Sequence, residues 1–447
     1  MALPTKHIRH ESRAARPRSS TRGPLDGSDD PLAPDHSASS AQPKESDVEA
    51  FNGTSFKELD PLAPDSLPES QKKDLSYLLR PNIFHPLSQI DIPSPLRSEF
   101  LILDPGEPLS YSLGLLEKSL SQGRFLVGAH FAGAILTSSL ISSTDIKLIF
   151  SLFYTRLACL ELSGNTVLAA QESKALGDLN ATFYYVEPEV DTTEPEIPNI
   201  NTQRYPQHVV PWPLRVLAVR LQSIGFGDPR KSIGGLYEIG LEARKEIMRN
   251  DTEEATRKIW RERLEDLGMR SVNALVEMGD LDAANRSLQA LRSSGIESEF
   301  NKLRRALLLL LIGDIDAAEH VFGESRDSKE SAIIQPLLSM SEGRYSDAVS
   351  EWRTLQDDKS RTDGAIVAQN LAVCLLYSGN LDEARQLLES QISANNSFSS
   401  LIFNMSTVYE LCSDNASQMK GQLAATIATQ PVSGQTNLDR TNQDFKL

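Results

Sequence analysis

From Leu109 onward the apolar residues recur every three or four positions, the spacing of one helix face, and run after run breaks at a single glycine before resuming. In NLAVCLLYSGNLDEARQLLES, Asn370 to Ser390, an apolar run holding the small Ala372 stops at Ser378-Gly379-Asn380 and picks up again with Leu381, Ala384, Leu387 and Leu388. Two short helices joined by one glycine produce this pattern.

Aligned on that glycine, the same phrase occurs four times: GDLDAANRSL, GDIDAAEHVF, GRYSDAVSEW and GNLDEARQLL. They start at Gly279, Gly313, Gly343 and Gly379, spaced by 34, 30 and 36 residues. Two positions after the glycine stands a large apolar residue (Leu281, Ile315, Tyr345, Leu381). Alanine follows five on (Ala284, Ala318, Ala348, Ala384), and a second large apolar residue nine on (Leu288, Phe322, Trp352, Leu388). A turn glycine, a small residue where two helices approach closely and a bulky residue one turn later describe the second half of a tetratricopeptide (TPR) hairpin, whose period is about 34 residues. Weaker copies begin at Gly123, Gly164 and Gly227, with Gly128, Ala169 and Ser232 at the small position. Their wider spacing predicts an insertion at about 186–213, rich in Pro and acidic residues, and two unusually long helices, one through Arg249 and the next from Thr252 to Met278. The expected fold is an all-α TPR superhelix of about seven hairpins over residues 109–447, closed by SLIFNMSTVYELCS and a last helix near Gln418 to Thr429.

In such a superhelix the leading helix of each hairpin lines the concave side. The positions counted there are Phe300, Leu303, Leu307, Leu310, Ile333, Leu337, Met340, Ile366, Val373 and Leu376. A solvent-facing groove this apolar points to an interface, filled by a partner's helix or by the Pro-rich Leu75 to Leu103 stretch of the same chain. The competing readings are that neighbouring leading helices bury these side chains against one another, or that the register is off by one.

Ahead of the repeats the pattern changes. Residues 75–108 are apolar but carry Pro81, Pro86, Pro93 and Pro95, which remove backbone donors and oppose helix; an extended segment packed on the array is expected. Residues 1–74 are dominated by Ser, Pro, Asp and basic residues, a composition that cannot offset the ordering entropy of a fold, and read as a disordered tail. Within it DPLAPD occurs twice, at Asp30 to Asp35 and at Asp60 to Asp65. It is either a short docking peptide or drift in low-complexity sequence.

Charge and chemistry narrow the function further. With 45 basic against 61 acidic residues among 447, the formal charge of −16 opposes binding to nucleic acid or anionic lipid. Cys159, Cys374 and Cys412 lie singly in apolar helical runs, as buried thiols do in a reducing compartment. The Arg-rich start could suggest a mitochondrial presequence, but its prolines and missing apolar face favour a basic arm. No apolar stretch reaches the roughly 20 residues of a membrane span, so no direct membrane insertion is expected. The seven histidines are scattered, no phosphate or dinucleotide loop occurs, and Glu253-Glu254 suits the first turn of a helix. No catalytic residue, metal ligand or cofactor motif emerges, which points away from an enzyme.

The blocks YTRLACLELSGNTVLAAQESKALGDLNATFYY, PWPLRVLAVRLQSIGFGDPRKSIGGL, NLAVCLLYSGNLDEARQLLES and SLIFNMSTVYELCS, in that order, resemble the subunit 12 family of the transport protein particle (TRAPP), a vesicle-tethering complex. The resemblance covers about Leu109 to Leu447, is strongest in FYY, PLRVL, NLAVCLLY and FNMSTVYEL, and is to a shorter, fungal-type member. It implies a non-catalytic scaffold that binds other TRAPP subunits and works with the core exchange factor for a Rab-type GTPase, in endoplasmic reticulum to Golgi transport and autophagy. It further implies a cytoplasmic protein held peripherally at early Golgi membranes. Functions tied to the longer tail of animal members are not implied. Two other TPR roles stand as alternatives. A co-chaperone needs a basic clamp where this chain has Met269, Asn273, Leu303, Leu307, Ile333, Leu337, Gln369 and Val373. An organelle import receptor needs an anchor helix, and the ending Phe445-Lys446-Leu447 is a poor likeness of a peroxisomal address.

Overall fold

The computed structural model describes residues 59–64, 67, 71–87, 100, 107–186, 206–249, 252–291, 299–323, 331–358 and 360–430. Sixteen α-helices account for most of them. The first eight elements are α1 Leu109–Ser121, α2 Phe125–Leu136, α3 Ile146–Leu162, α4 Thr166–Ser173, β1 Tyr185–Val186, β2 Gln207–His208, α5 Trp212–Phe226 and α6 Pro229–Met248. There follow α7 Glu254–Met278, α8 Leu281–Ala290, α9 Glu299–Ile312, α10 Ile315–Gly323, α11 Ile334–Ser341 and α12 Tyr345–Asp357. Four more helices complete the order: α13 Gly364–Tyr377, α14 Leu381–Ser393, α15 Ser399–Cys412 and α16 Ala416–Thr429. The two long helices expected from the spacing are α6 and α7. Of the expected insertion, residues 187–205 lie outside the described residues, and its two ends meet in the short antiparallel pair β1–β2, Tyr185 opposite His208.

One local device makes the hairpins. Gly123, Gly164, Gly227, Gly279, Gly313, Gly343 and Gly379 all have positive φ, between 63° and 91°. In each case the residue after the glycine donates its N–H to the carbonyl five residues back, as Asp280 does to Leu275, Arg344 to Ser339 and Asn380 to Leu375. This is the Schellman ending, in which a left-handed residue closes off a helix and satisfies its last carbonyls, and glycine adopts it without a Cβ clash. Asp280 and Asp314 then cap the following helix, accepting from the Ala283 and Ala317 amides at 3.0 and 3.2 Å. The seven hairpins are thus α1–α2, α3–α4, α5–α6, α7–α8, α9–α10, α11–α12 and α13–α14, with α15–α16 packed after the last. The all-α array is compatible with TPR-like repeats.

Each helix packs chiefly on its sequence neighbours, and some leading helices also touch the next leading helix, α3 on α5, α7 on α9 and α9 on α11. The core is correspondingly divided along the chain. One cluster runs from Leu75 to Leu221, a second from Trp212 to Leu267, a third from Met269 to Leu338 and a fourth from Ala348 to Ile427. Ala284, Ala318, Ala348 and Ala384 are fully buried within them, and the bulky Leu288, Trp352 and Leu388 four residues on are nearly so. Gly128 holds the same place in α2, where an added Cβ would stand 3.2 Å from Leu120 Cδ2 and 3.3 Å from Cys159 Sγ.

Residues 75–87, expected to be extended, form two short 3-10 turns, Ser76–Leu79 and Pro81–Ile83, around Pro81 and Pro86, while Pro93 and Pro95 lie outside the described residues. Leu75 and Leu78 are completely buried in the first core cluster, Tyr77, Ile83, Phe84 and Leu87 pack against it, and the Leu75 amide donates to the Ser143 carbonyl at 2.9 Å. Arg156 of α3 and Glu172 of α4 fasten this segment from below, since the Arg156 guanidinium donates to the His85 carbonyl and the His85 amide to Glu172 Oε1.

Candidate functional site

The counted groove positions fall on α9, α11, α13 and the turn before α11, and the structure treats them unequally. Phe300 and Ile366 stand open at 71% and 53% exposure. Leu303 and Leu310 are half-buried against the third cluster, and Ile333, Leu337, Met340 and Leu376 against the fourth. Leu307 and Val373 are half-buried as well. Side chains of this row therefore divide their area between the array's interior and its surface, as leading helices packed on both neighbours must. Counting missed Leu162, Leu311, Tyr377, Phe403 and Leu411, all large, apolar and exposed. Three of them, Leu162, Leu311 and Tyr377, stand two residues before a turn glycine, a position that could have been aligned with the rest. Tyr377 also stacks on Tyr345 of the preceding hairpin, ring centres 4.8 Å apart and nearly parallel. Of the stretch Leu75 to Leu103, considered as a filler for this row, residues 75–87 and Phe100 lie instead on the first core cluster, and 88–99 and 101–103 lie outside the described residues.

A second region draws in residues from the stretch read as tail. Asp60 is 6% exposed. Its carboxylate accepts from the Trp212 amide at 2.8 Å, from the Leu62 amide at 2.9 Å and from the Arg263 guanidinium, with which it forms an ion pair. Trp212 opens α5, so its N–H is one of the donors that a helix start leaves without an internal partner, and a carboxylate there also complements the helix dipole. Arg263 of α7 lies over two indole rings, 4.9 Å from the centre of Trp212 and 4.6 Å from that of Trp260, which meet edge to face. Burial pulls the Arg263 guanidinium below its usual range, and Asp60 works against that shift.

Around this contact the polar groups are paired. Arg215 forks onto Glu242, where burial pushes the carboxyl up but the arginine outweighs it and leaves the group below the ordinary range. His208 accepts from the Val210 amide at Nδ1, 3.0 Å away, so the ring proton sits on Nε2 and is donated to the Leu179 carbonyl at 2.9 Å. Burial, then the charge on Arg215, pushes His208 down to about 4. An open pocket of about 490 Å³ lies between residues 60–63, the starts of α5 and α7 and the end of α6.

The described residues contain no group of three or more His, Cys, Asp or Glu that could hold a metal ion. None of their helices is long and apolar enough to cross a membrane. What they define is an all-α array of glycine-hinged hairpins with apolar side chains left open on its leading helices.

No protein-family model matches the chain. Among curated proteins it is similar to the trafficking protein particle complex subunit 12 of Homo sapiens, 26% identical over 335 residues, which covers 68% of this chain and 44% of the relative. It is likewise similar to the subunit 12 protein of Mus musculus, 25% identical over 308 residues, covering 62% of this chain and 37% of the relative. The chain spans less than half the length of either relative. These matches support a likeness to the TRAPP subunit 12 family at a distant level.

Proposed function

We propose that the chain is a non-catalytic scaffold subunit of a TRAPP vesicle-tethering complex, binding its other subunits through the leading-helix side of the hairpin array. It works beside the core exchange factor for a Rab-type GTPase, in endoplasmic reticulum to Golgi transport and in autophagy, and sits at the cytoplasmic face of early Golgi membranes without entering them. The observation that carries this reading is the pairing of a subunit 12 likeness with large apolar side chains left open on two of the leading helices, Phe300 and Leu311 on α9 and Ile366 and Tyr377 on α13. Exposed apolar groups that recur along one side of an array are what a protein interface needs. The half-buried members of the row, Leu303, Leu307, Leu310, Ile333, Leu337, Met340, Val373 and Leu376, provide the packed floor beneath them.

The test is reciprocal purification from the native cell. A tagged chain should bring down the core TRAPP subunits in fixed ratio, and a tagged core subunit should bring down this chain. Phe300→Asp with Ile366→Asp should abolish both while leaving the melting temperature unchanged. Recovery of the complete chain without any TRAPP subunit, in either direction, would refute the reading.

A further inference from the structure

The sequence Asp-Pro-Leu-Ala-Pro is present twice, and the structure shows one copy seated. In that copy the four residues Asp60 to Ala63 make their own turn. The Leu62 amide donates to the Asp60 side chain, the Ala63 amide donates to the Asp60 carbonyl at 3.1 Å, and Pro61 holds the second position. Asp at the first and Pro at the second place of a turn is the combination local chemistry favours, so the shape is written in the motif itself. The receptor side adds a guanidinium and a helix-start amide for the carboxylate, from Arg263 and Trp212, and the Gln207 side chain, which donates to the Leu62 carbonyl at 2.7 Å. Every one of these contacts is made by an atom that the copy at Asp30–Asp35 also possesses.

We infer that the cleft formed by Gln207, Trp212 and Arg263 is a receptor for the Asp-Pro-Leu-Ala turn, and that residues 30–34 of the same chain are its second ligand, exchanging with residues 60–64. Both copies are tethered to the same fixed point, Leu75, which is locked in the first core cluster. Asp60 lies 15 residues from it and Asp30 lies 45. Ring closure weakens with the three-halves power of tether length, so with equal contacts the nearer copy holds the site roughly fivefold more often. The farther copy is a reserve: silent while Asp60 is seated, and occupying the cleft whenever residues 60–64 are drawn away.

The full-length chain tests this by non-additivity. Asp30→Ala alone should leave the melting temperature where it is. Asp60→Ala should lower it, and adding Asp30→Ala to that variant should lower it again, because the substitute ligand is then lost as well. A dye-labelled peptide spanning residues 28–37 should bind most tightly to the double variant, less tightly to Asp60→Ala, and least to the unmodified chain, whose cleft is filled. A double variant that no longer folds where Asp60→Ala does gives the same support, and Asp60→Asn, which keeps one oxygen for one of the two amides, replaces Asp60→Ala if that variant does not fold. The inference is overturned if Asp30→Ala changes neither melting nor peptide binding in the Asp60 variant. It is also overturned if the Asp60 variant dimerises on sedimentation and Asp30→Ala abolishes the dimer, since residues 30–34 would then be docking on a second molecule.

Discussion

Arg156 of α3 and Glu172 of α4 form a forked ion pair in the interior of the first core cluster, Nε to Oε2 and Nη2 to Oε1 each at 2.6 Å, with side-chain exposures of 4% and 0%. The arginine also donates to the Ala129 carbonyl at 2.8 Å and the His85 carbonyl at 3.0 Å, so one guanidinium ties α2, α3, α4 and the proline-rich segment together. Removing one partner leaves a buried charge without compensation. Arg156→Met or Glu172→Leu should each cost about 3–5 kcal/mol, whereas the two together should cost less than their sum. Urea melts of the two single variants and the pair read this directly. Gly133→Ala should disturb the same site, because its Cβ would collide with Arg156 Nη1, an atom pinned in place by its hydrogen bond to the Ala129 carbonyl.

Acid should loosen the joint at β2. His208 is neutral in the fold with a pKa of about 4, below the ordinary 6.5. Above pH 6.5 neither the folded nor the unfolded chain holds this proton, and stability is unaffected. Between 6.5 and 4 the unfolded chain gains a proton that the folded one refuses, so stability falls as pH falls, by about 2 kcal/mol at pH 5. His208→Gln should flatten that part of the stability curve. An unchanged slope between pH 7 and 5 would mean the ring is not held neutral.

Enlarging the small position should overpack the hairpins. Ala318 and Ala384 have no exposed surface, and leucine at either displaces a neighbouring helix at a cost of about 1–3 kcal/mol. The two sites belong to different core clusters, so the costs should add. Differential scanning calorimetry of Ala318→Leu, Ala384→Leu and the pair would reveal an unchanged melting temperature if the alanines were not at the helix approach.

The three thiols should react in a set order. Cys374 is buried in α13, and burial pushes its thiol up to about 11. Cys159 is buried too, and Cys412 is half-buried at the end of α15. A thiol reagent at pH 8 should label Cys412 first, with Cys374 and Cys159 becoming reactive at the rate of unfolding. Fast labelling of Cys374 in the folded chain would contradict the packing of α13.

The repeat was legible because it depends on residues that stand alone in their chemistry. Few residues besides glycine end a helix in the left-handed region, and few besides alanine or glycine fit where two helices nearly touch; Gly279 with Ala284 carries both signals within six residues. The leading-helix surface was only half legible, and LLLLL, Leu307 to Leu311, shows why. Leu308 and Leu309 are buried, Leu307 and Leu310 half-buried and Leu311 exposed, a gradation that identical letters cannot encode. Asp60 was not legible as a buried residue. Its partner Arg263 lies 203 residues away, and a short acidic, proline-containing stretch has no period to announce which surface it meets.

The division of the core into successive clusters has a consequence for how the molecule responds to load. Neighbour-on-neighbour packing makes the array behave as a chain of links whose last helix touches the first hairpin, Ala428 on Leu126, so tension between its ends parts that contact and then opens hairpins one at a time instead of all at once. The pairing of Asp60 with Arg263 is of another kind: it staples the strand ahead of the first link to the fourth. A pull applied at the N-terminal end is therefore borne first by the staple, and the three hairpins it spans are shielded until it parts.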